Sequence, residues 1–516
     1  MGAGLSKDDR AGGLRQLRRY SGISSLSVSS SFILVFMTAW LGISQLLLLR
    51  FLGIISVENG LVGAGLLIGL CWGIVRSMRS VAGPIRLPTI LWCFGFSLVL
   101  FALGGEGRLF YANVDWQVRD AVLRDMAINP WPFVYTARGF PDVLRAPIGM
   151  FFLPALAYKQ WGAGAADWAL LLQNALLLTA ILSLGSTLFA TGKQKGVALV
   201  ILVFFSGLDL VGQWLLHREL VDHLESWSKL EYSSTVTLAF WVPQHALAGW
   251  TVAVLFLLWR AGKLPPAPFL TLLPLTAIWS PFALIGSMPF AIYVAASTLR
   301  RHRLTGLDFT LPVLSTMLAA PSLLYLSAAG DAVGIRAFPV GIARFIAIQM
   351  IETIPYLAPL IALTRLRGAD RWGAATLGIV TVWLFVAPFI QIGWSIDFMM
   401  RATIPAFAIL AVMVADAIMD QESPRQPAAW LIVALVIGSV TALMEIRSAV
   451  LNPVSPRVSC TFFKAWEQTF SNYRKDSYLA PLSKMPAIIA PPAPYHVSSK
   501  EPTRCWNGLW VHPTGV

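Results

Sequence analysis

Charged residues are scarce in this chain. Asp, Glu, Lys and Arg make up 13% of its 516 residues, apolar residues make up 56%, and the mean hydropathy is +0.67. A soluble domain carries about 25% charged residues, so this chain has too little polar surface to be covered by water alone. The composition argues against an ordinary soluble enzyme and favours a protein whose surface is largely covered by lipid.

Several sequence motifs of common chemistries are also missing. The chain contains no GxxxxGK[ST] phosphate loop, and it lacks the HExxH, CxxC and GxSxG patterns of zinc proteases, redox pairs and serine hydrolases. The first absence argues against a nucleotide cofactor and against ATP-driven transport by this chain alone. Segments of about ten alternating residues, which a membrane β-barrel needs, do not occur either.

Long apolar runs are what the sequence has instead. A membrane-spanning helix needs roughly 20 apolar residues, and helices satisfy their own backbone in lipid. The sequence therefore predicts an all-α polytopic membrane protein with about 13 transmembrane helices. The runs are 31–49, 60–76, 88–104, 166–190, 197–216, 235–259, 308–327, 339–363, 373–394, 402–419 and 428–445.

The net charge of +13 lies in short loops at the ends of the apolar runs. This is the pattern of the positive-inside rule, and it argues against a nucleic-acid partner. We expect a basic cytoplasmic tail over 1–30, a transmembrane module over 31–445 and a small periplasmic segment over 446–516. The expected location is a bacterial inner membrane, with the N-terminus inside and the C-terminus outside.

Two segments decide the topology. Segment 148–158 is too short for an ordinary span and contains Pro154. If it is re-entrant or interfacial, and if 267–298 is broken at the sequence WSPF around Pro281, the basic loops all fall on one side. The predicted inner loops are then 191–196, 260–263, 299–303 and 364–371, and the predicted outer loops are 105–147, 206–234, 328–338 and 395–401.

Only four cysteines occur, and their positions differ in kind. Cys71 and Cys93 lie within apolar runs and are expected to be core residues. Cys460 and Cys505 lie in the C-terminal segment. On the oxidising side of the membrane these two are expected to form a disulfide; in a cytoplasmic segment they would be free thiols.

The stretch "NVDWQVRDAVLRDMAINPWPFVY" (113–135) is unusually rich in charge for this chain. The pairs Asp115–Arg119 and Asp120–Arg124 are spaced i,i+4, which favours an amphipathic helix on the membrane surface. Asp115 follows a span end closely enough to reach a cavity, so it is either a functional carboxylate or part of that surface helix. The apolar side chains expected to face lipid are Trp116, Val118, Val122 and Met126.

The second outer loop and the helix after it concentrate further polar side chains. Asp209, His223 and Glu225 are candidate ligands of a divalent metal ion such as Mg²⁺ or Mn²⁺. His223 and Glu225 are two residues apart, so both can bind the same metal ion only if they lie outside a helix. Gln244 and His245 lie deep within the run 235–259, where polar groups are costly unless they face protein or a wet cavity. Interfacial histidines and a hydrogen-bonded helix contact are the alternative.

The last outer loop adds candidate anion-binding groups. Asp397 and Arg401 are spaced i,i+4, so they form either a simple ion pair or part of a phosphate site, because the planar guanidinium can bind two oxygens. Arg336 is a further candidate for substrate binding. Glu352 lies inside an apolar run next to Pro355, and broken helices are common beside binding cavities in membrane proteins.

The layout of these segments resembles the GT-C superfamily of membrane glycosyltransferases, which use polyprenyl-phosphate sugars. The resemblance rests on the long first outer loop with "DWQVRDAVLRDM", on the Pro-containing segment and long helix of 144–185, and on "WVPQHALAGW". It covers roughly 88–260 by layout and the rest by hydropathy only. The sequence "NVDW" stands where several members have paired acidic residues, and two spans precede the expected first helix.

The resemblance implies that Asp115 is the catalytic base of an inverting sugar transfer. The implied partners are a polyprenyl-phosphate-linked sugar, membrane lipids, and a glycan or lipid acceptor in the cell envelope. One carboxylate must take the proton of the acceptor hydroxyl, and cationic groups must stabilise the departing phosphate. The energy of the sugar–phosphate bond makes a nucleotide motif unnecessary.

Two other classes of function compete with this interpretation. A transporter or flippase for a lipid-linked or anionic substrate would use Glu352, His245 and Arg344 as an intramembrane path. A polysaccharide polymerase of another fold, or an assembly subunit without activity, is the third class. Polar residues gathered at one membrane face favour an enzyme, whereas a polar track through the whole bilayer favours a transporter.

Overall fold

The computed structural model describes residues 26–301, 304–367, 371–420, 424–471, 473–497, 501–512 and 514. The expected basic tail over 1–30 lies almost entirely outside these described residues. In chain order the helices are α1 (Ser30–Phe51), α2 (Val57–Ser77), α3 (Leu87–Leu103), α4 (Asp115–Ile128), α5 (Phe152–Trp161), α6 (Ala163–Ser186), α7 (Gly192–Phe204), α8 (Asp209–His217), α9 (Thr235–Trp241), α10 (Pro243–Arg260) and α11 (Pro266–Leu275).

The second half of the chain is built in the same way. Its helices are α12 (Pro281–Arg300), α13 (Gly306–Ser327), α14 (Gly330–Val333), α15 (Ile342–Ile348), α16 (Ile354–Arg367), α17 (Ala374–Val386), α18 (Asp397–Ala402), α19 (Ile404–Met419), α20 (Arg425–Leu451) and α21 (Phe462–Phe470), with a π-helical turn at Gln349–Thr353. Short strands are β1 (Ser27–Ser29), β2 (Pro84–Arg86), β3 (Phe133–Val134), β4 (Asp142–Leu144), β5 (Ile335–Ala337), β6 (Ile390–Ile392), β7 (Leu479–Pro481) and β8 (Tyr495–His496).

The protein is an all-α polytopic membrane protein. Eight helices in the described part of the chain are long and apolar enough to cross a bilayer: Ser30–Phe51, Val57–Ser77, Ala163–Ser186, Gly192–His217, Pro281–Arg300, Gly306–Ser327, Ile342–Leu366 and Arg425–Leu451. Four shorter apolar helices accompany them: Leu87–Leu103, Pro266–Leu275, Ala374–Phe389 and Ile404–Met419. The total of about 13 spans stays a prediction.

Contacts between loops show which loops lie at each of the two ends of the helix bundle. At the first end, β1 pairs antiparallel with β2, which places the start of α1 beside the α2–α3 loop. At the opposite end, a Cβ on Gly53 of the α1–α2 turn would lie 2.6 Å from Pro132. The loop 105–147 is therefore at the end opposite β1, as the sequence predicts.

The four predicted outer loops meet at that second end through the C-terminal segment 452–514. β3 pairs with β8 and β4 pairs with β7, Asp331 pairs with Lys484 at 2.6 Å, and the Trp394 ring lies 3.8 Å from the Arg474 guanidinium. The loop 206–234 joins through the His223 N–H, which donates to the Thr514 carbonyl at 3.1 Å. We call this the loop end of the protein.

Residues in or next to three of the basic loops meet at the other end. Lys263 donates to the Thr187 carbonyl, and Arg371 donates to the Leu188 carbonyl. The start of α6 is held at the loop end, where Asp167 pairs with Arg108 at 3.2 Å, so residues 187–188 after α6 lie on the far side. The separation of basic loops from the loop end agrees with the predicted topology.

Segment 148–158 does not form a full span. A short 3₁₀ turn at Gly149–Phe151 and the ten-residue α5 (Phe152–Trp161) replace it, and ten residues are too few to cross a bilayer. The Gly149 N–H donates to the Ile278 carbonyl at 2.9 Å, inside the gap between α11 and α12. Both predicted irregularities, the re-entrant segment and the break around Pro281, therefore contact each other.

The expectation of a surface helix at 113–135 is wrong. The side chains expected to face lipid on α4 are buried within the protein: Trp116, Val118, Val122 and Met126. α4 is covered by α5 on one side and by α21 of the C-terminal segment on another. Of the two expected ion pairs, Asp115–Arg119 forms at 3.2 Å, whereas Asp120 pairs with Arg108. Hydropathy alone cannot distinguish lipid from a protein segment that lies far away in the chain.

Candidate functional site

Asp115 begins α4 and is fixed there by its neighbours. The Asn113 side chain accepts from the Asp115 N–H at 3.1 Å and donates to the Phe240 carbonyl at 2.9 Å. The Trp116 indole N–H donates to the same carbonyl at 2.9 Å. The first turn of α4 is thereby tied to the end of α9, and the Asp115 carboxylate stays 25% exposed.

Arg119 lies one turn along α4 and is buried, with 3% of its side chain exposed. One terminal nitrogen donates to Asp115 at 3.2 Å and the other to the Gln244 side-chain oxygen at 2.7 Å. Gln244 is available because Pro243 starts α10 and leaves its first turn facing α4. Within the described part of the chain, the Arg119 Nε has no acceptor.

Arg401 on α18 is the second buried guanidinium. Its i,i+4 ion pair with Asp397 forms as expected, and 13% of its side chain is exposed. The charges of Asp397 and Asp115 both act on it. Its Nε also has no acceptor among the residues that the structure describes. Buried N–H groups are rarely left without a partner, and both guanidinium groups act on the same His245 ring, so their Nε groups indicate a place for an anion.

Tyr478 of the C-terminal segment joins these charges. Burial raises the pKa of its hydroxyl, although the nearby Arg119 and Arg401 guanidinium groups oppose that rise. The hydroxyl therefore stays protonated at neutral pH and can donate a hydrogen bond. Its ring packs against Phe462 with centroids 5.6 Å apart. The charged side chains that act on the Tyr478 hydroxyl are Arg119, Arg401, Asp115 and Asp397.

His245 follows Gln244 in the first turn of α10. Its Nδ1 is 2.8 Å from the hydroxyl of Ser280 at the start of α12, and both Arg401 and Arg119 act on its ring. A cavity beside these groups is lined by Arg119, Gln244 and Tyr478 together with apolar side chains. We define the arginine pocket as Asp115, Arg119, Gln244, His245, Asp397, Arg401 and Tyr478.

Five members of this pocket were predicted from the sequence, and Arg119 and Tyr478 were not. Arg119 was assigned to a surface ion pair, although its spacing from Asp115 was recognised. Tyr478 carries no local signal, because it reaches the pocket from the far end of the chain. Arg336 lies nearby but outside the pocket: its guanidinium stacks 4.2 Å from the Trp394 ring and donates to the Val333 carbonyl at 3.0 Å.

Glu352 and Asp209 belong to a different cluster. The Trp227 indole N–H donates to Glu352 at 2.9 Å and to Asp209 at 3.3 Å. Glu352 also accepts from the Tyr232 N–H at 3.3 Å, and it lies in the π-helical turn Gln349–Thr353. Asp209 accepts from the hydroxyls of Ser206 and Thr441, at 2.7 and 2.9 Å. We call this the tryptophan-bridged pair.

The candidate metal ligands are only partly brought together. His223, Glu225 and Glu231 each offer a ligand atom within 4.8 Å of the others. The prediction of Asp209 as a ligand is wrong: Glu231 takes its place beside His223 and Glu225, and the Asp209 oxygens already accept from Ser206, Thr441 and Trp227. His223 precedes the 3₁₀ turn Leu224–Trp227. His223 and Glu225 therefore lie outside an α-helix, which is the condition under which both can bind the same metal ion.

Burial of charge affects this loop strongly. Burial raises the pKa of Glu225 well above its usual range, and the charges of Glu231 and Asp209 raise it further. For His223, burial lowers the pKa, but the hydrogen bond and charge of Glu445 outweigh it, so the net shift is upward. The loop therefore holds more acidic groups than its own surroundings neutralise.

The chemistry of the arginine pocket follows from its groups. A partly exposed carboxylate can accept a proton, and two guanidinium groups with free N–H bonds can hold an oxyanion. Apolar side chains, including Ile148 and Phe151, complete the lining of the adjoining cavity. No family model, curated protein or solved structure matches this chain.

Proposed function

We propose that the protein is a membrane glycosyltransferase that moves a sugar from a polyprenyl-phosphate donor to a cell-envelope glycan or lipid acceptor. One observation carries the proposal: the partly exposed Asp115 pairs with the buried Arg119, which lines one cavity with Tyr478, and the charges of Asp115, Arg119 and Arg401 all act on the Tyr478 hydroxyl. A base beside two anion-binding cations is the set of groups that sugar transfer from a phosphate requires.

The reaction assigns each group a role. Asp115 takes the proton of the acceptor hydroxyl as the acceptor oxygen forms its bond to the anomeric carbon. The bond from that carbon to the phosphate oxygen breaks, and the negative charge on the leaving phosphate grows. Arg119 and Arg401 stabilise that charge through their free Nε groups, and the Tyr478 hydroxyl donates a further hydrogen bond.

The position of the pocket suits a lipid-linked donor. The pocket lies at the loop end, and Val122, Ile148 and Phe151 line the adjoining cavity, so apolar side chains lie beside the anion-binding groups. The basic loops lie at the opposite end, which the positive-inside rule places in the cytoplasm. The pocket then faces outward from a bacterial inner membrane, where a glycan or lipid acceptor is present.

The experiment is sugar transfer by purified protein in nanodiscs, with radiolabelled polyprenyl-phosphate sugars as donors. Asp115→Asn keeps the side chain's shape but removes the proton acceptor, so transfer should fall about 100-fold or more. Arg401→Lys keeps the charge but loses the planar fork, so it should mainly raise the KM for the donor.

Asp331→Asn is the matched control, because Asp331 is an exposed carboxylate at the same end of the molecule and forms an ion pair with the exposed Lys484. Its transfer rate should equal that of the wild type. Full activity in Asp115→Asn, or equal losses in Asp115→Asn and Asp331→Asn, would remove Asp115 from the mechanism. The absence of transfer from every donor would count against the proposed function itself.

The tryptophan-bridged pair favours a second candidate function, transport of a lipid-linked or anionic substrate. Glu352 and Asp209 lie within apolar helices, where ionisable groups commonly mark substrate or proton paths. A Cβ on Gly207 would lie 2.7 Å from Glu352, so the backbone is closely fitted around this carboxyl. Substrate movement in proteoliposomes that is lost in Glu352→Gln but kept in Asp115→Asn would favour transport over transfer.

A further inference from the structure

The segment between α8 and α9 gathers three metal-ligating side chains away from the arginine pocket. His223, Glu225 and Glu231 each place one ligand atom within 4.8 Å of the other two. All three are buried. Acidic clusters are common on protein surfaces without an ion, so proximity alone does not make a site.

Glu225 supplies the independent observation. Its side chain is 0% exposed, and its Oε1 accepts from the Ser234 N–H at 2.6 Å and from the Thr237 hydroxyl at 3.0 Å. Its Oε2 is buried and has no donor among the described residues. A buried carboxylate oxygen without a donor is costly, and the charges that act most strongly on Glu225 are the negative ones of Glu231 and Asp209.

His223 is held in the orientation of a metal ligand. Its Nδ1 lies 2.7 Å from the Glu445 carboxylate, which also accepts from the Trp241 indole N–H at 2.9 Å. The ring lies against Trp241, with centroids 4.7 Å apart. When Nδ1 donates to Glu445, the lone pair of Nε2 is free to bind an ion. A carboxylate that orients a histidine in this way is the usual outer shell of a metal site.

The charges in this region need more than one imidazolium to balance them. His223 is acted on by Glu445, Glu231 and Asp209, and Glu225 adds a fourth carboxyl group. One protonated histidine offsets one of these charges, whereas a divalent cation offsets two. Bound protons are the competing solution, and the two solutions respond differently to added metal.

We propose that His223, Glu225 and Glu231 bind a divalent cation of the Zn²⁺ or Mn²⁺ class, at a site separate from the arginine pocket. One imidazole nitrogen and two carboxylate oxygens suit Zn²⁺ best, since imidazole disfavours Mg²⁺ and Ca²⁺. Three protein ligands leave at least one position for water. The inference does not depend on the proposed sugar transfer.

The ion would fasten the segment 218–234 to the helix bundle. Glu225 accepts hydrogen bonds from Ser234 and Thr237 at the start of α9, and His223 is hydrogen-bonded to Glu445 on α20. An ion shared by these side chains would therefore strengthen the connection between a segment with little regular structure and two helices. Binding of the ion should raise the Tm of the whole protein, because an ion that binds only the folded state stabilises that state.

The first experiment uses the purified full chain, stripped with a chelator and then titrated separately with Zn²⁺, Mn²⁺, Mg²⁺ and Ca²⁺. We expect one Zn²⁺ or Mn²⁺ per chain by elemental analysis after desalting, and a rise in Tm with these two ions only. A wild-type protein that retains no ion and shows no ion-dependent change in Tm would overturn the proposal.

Variants then identify the ligands. Glu225→Gln and Glu231→Gln should each abolish the rise in Tm that Zn²⁺ causes, because each variant loses one carboxylate ligand. Loss of a merely structural glutamate would instead change the Tm equally with and without Zn²⁺. Glu219→Gln, at an exposed position in the same segment, is the control and should keep both the ion and the rise.

Asp209→Asn tests the composition of the ligand set. Because Asp209 accepts from Ser206, Thr441 and Trp227, this variant should retain one ion per chain. Retention in Asp209→Asn together with loss in Glu231→Gln supports the proposed set. An ion that survives in Glu225→Gln and Glu231→Gln, or that is lost equally in Glu219→Gln, would overturn the site whether or not the protein transfers sugar.

Discussion

Asp125 is a buried carboxyl group on α4, away from the arginine pocket. One of its oxygens accepts from the Tyr135 hydroxyl at 2.7 Å and from the Phe462 N–H at 2.8 Å. Burial raises its pKa from 3.8 to about 7, although these hydrogen bonds and the charge of Arg124 oppose the rise. This side chain joins α4 to the C-terminal segment, and its protonation affects the stability of that junction.

The first prediction concerns the pH dependence of stability. Because the pKa of Asp125 is raised in the folded state, its favourable contribution is complete below pH 3.8 and is lost as the pH rises through about 7. One pKa unit corresponds to roughly 1.4 kcal/mol, so the loss amounts to at most about 4 kcal/mol. The Tm of the wild type should fall between pH 5 and pH 8.

Asp125→Asn provides the check, since asparagine stays neutral and can still accept from Tyr135 and Phe462. Its Tm should vary less than that of the wild type over the same pH range, with the exposed Asp331→Asn as the control. A variant whose Tm falls as steeply as the wild type would show that other groups cause the pH dependence.

Three ion pairs show what residue spacing in the sequence can and cannot predict. The i,i+4 spacing of Asp115–Arg119 and of Asp397–Arg401 predicted ion pairs, and both form. The same spacing predicted Asp120–Arg124, but Asp120 pairs with Arg108 at 2.6 Å. Spacing defines which side chains on one helix are neighbours, but it contains no information about a competing cation from another segment.

Among the helices, α12 and α18 pack unusually closely, and this packing positions the pocket. A Cβ on Gly286 of α12 would lie 1.9 Å from the Ala402 carbonyl oxygen of α18. Real Cβ atoms do not approach backbone so closely, so one helix would have to move. Arg401 immediately precedes Ala402, and its guanidinium would move with α18.

The second prediction is therefore that Gly286→Ala lowers both the Tm and the affinity for a polyprenyl-phosphate donor. Gly378→Ala is the matched control, because Gly378 lies within α17 and a Cβ there would meet nothing within 4 Å. Removing a helical glycine at an open position should stabilise by about 0.5–1 kcal/mol. Equal thermal melts of the two variants would contradict the role assigned to this contact.

At the level of helices, the apolar runs predicted most elements correctly but not their interruptions. The run 235–259 is divided into α9 and α10 at Val242–Pro243, and the run 197–216 is divided into α7 and α8 before Asp209. The break near Pro281 was predicted, since proline cannot continue a helix from its preceding turn. The break before Asp209 has no proline; there the Leu208 N–H donates to the Ile351 carbonyl, next to Glu352, at 3.3 Å.

The C-terminal segment connects the whole loop end, and its disulfide is part of that connection. Cys460 and Cys505 are joined with their Cα atoms 4.8 Å apart and a sequence separation of 45. A cross-link over a loop of this length stabilises by about 4 kcal/mol in the chain-entropy description. The disulfide closes a loop of the chain, and this loop contains Tyr478, which reaches the pocket.

The third prediction is that replacing both cysteines by serine lowers the Tm and weakens sugar transfer. The reason is that the segment carrying Tyr478 becomes less constrained. Reductant should lower the Tm of the wild type but not that of the double variant. Cys71→Ser removes a free thiol and should keep the response to reductant. A reductant-insensitive wild type would show that the disulfide does not stabilise the protein.

The fourth prediction concerns the orientation of the whole molecule. Lys484, at the loop end, and Arg301, at the opposite end, are both exposed. With the two free cysteines replaced, a membrane-impermeant maleimide applied to intact cells should label Lys484→Cys and leave Arg301→Cys unlabelled. Labelling of Arg301→Cys alone would reverse the topology and move the arginine pocket to the cytoplasm.

The sequence by itself determined the class of fold and the grouping of the loops. Apolar runs must be buried in lipid as helices, and the basic loops divide the chain into two sides, so composition and charge order were sufficient. Tertiary structure alone decided that α4 is buried, that Arg119 faces Gln244, that Tyr478 completes the pocket and that Glu231 joins His223. These contacts join segments far apart in the chain, and hydropathy and local spacing do not describe such contacts.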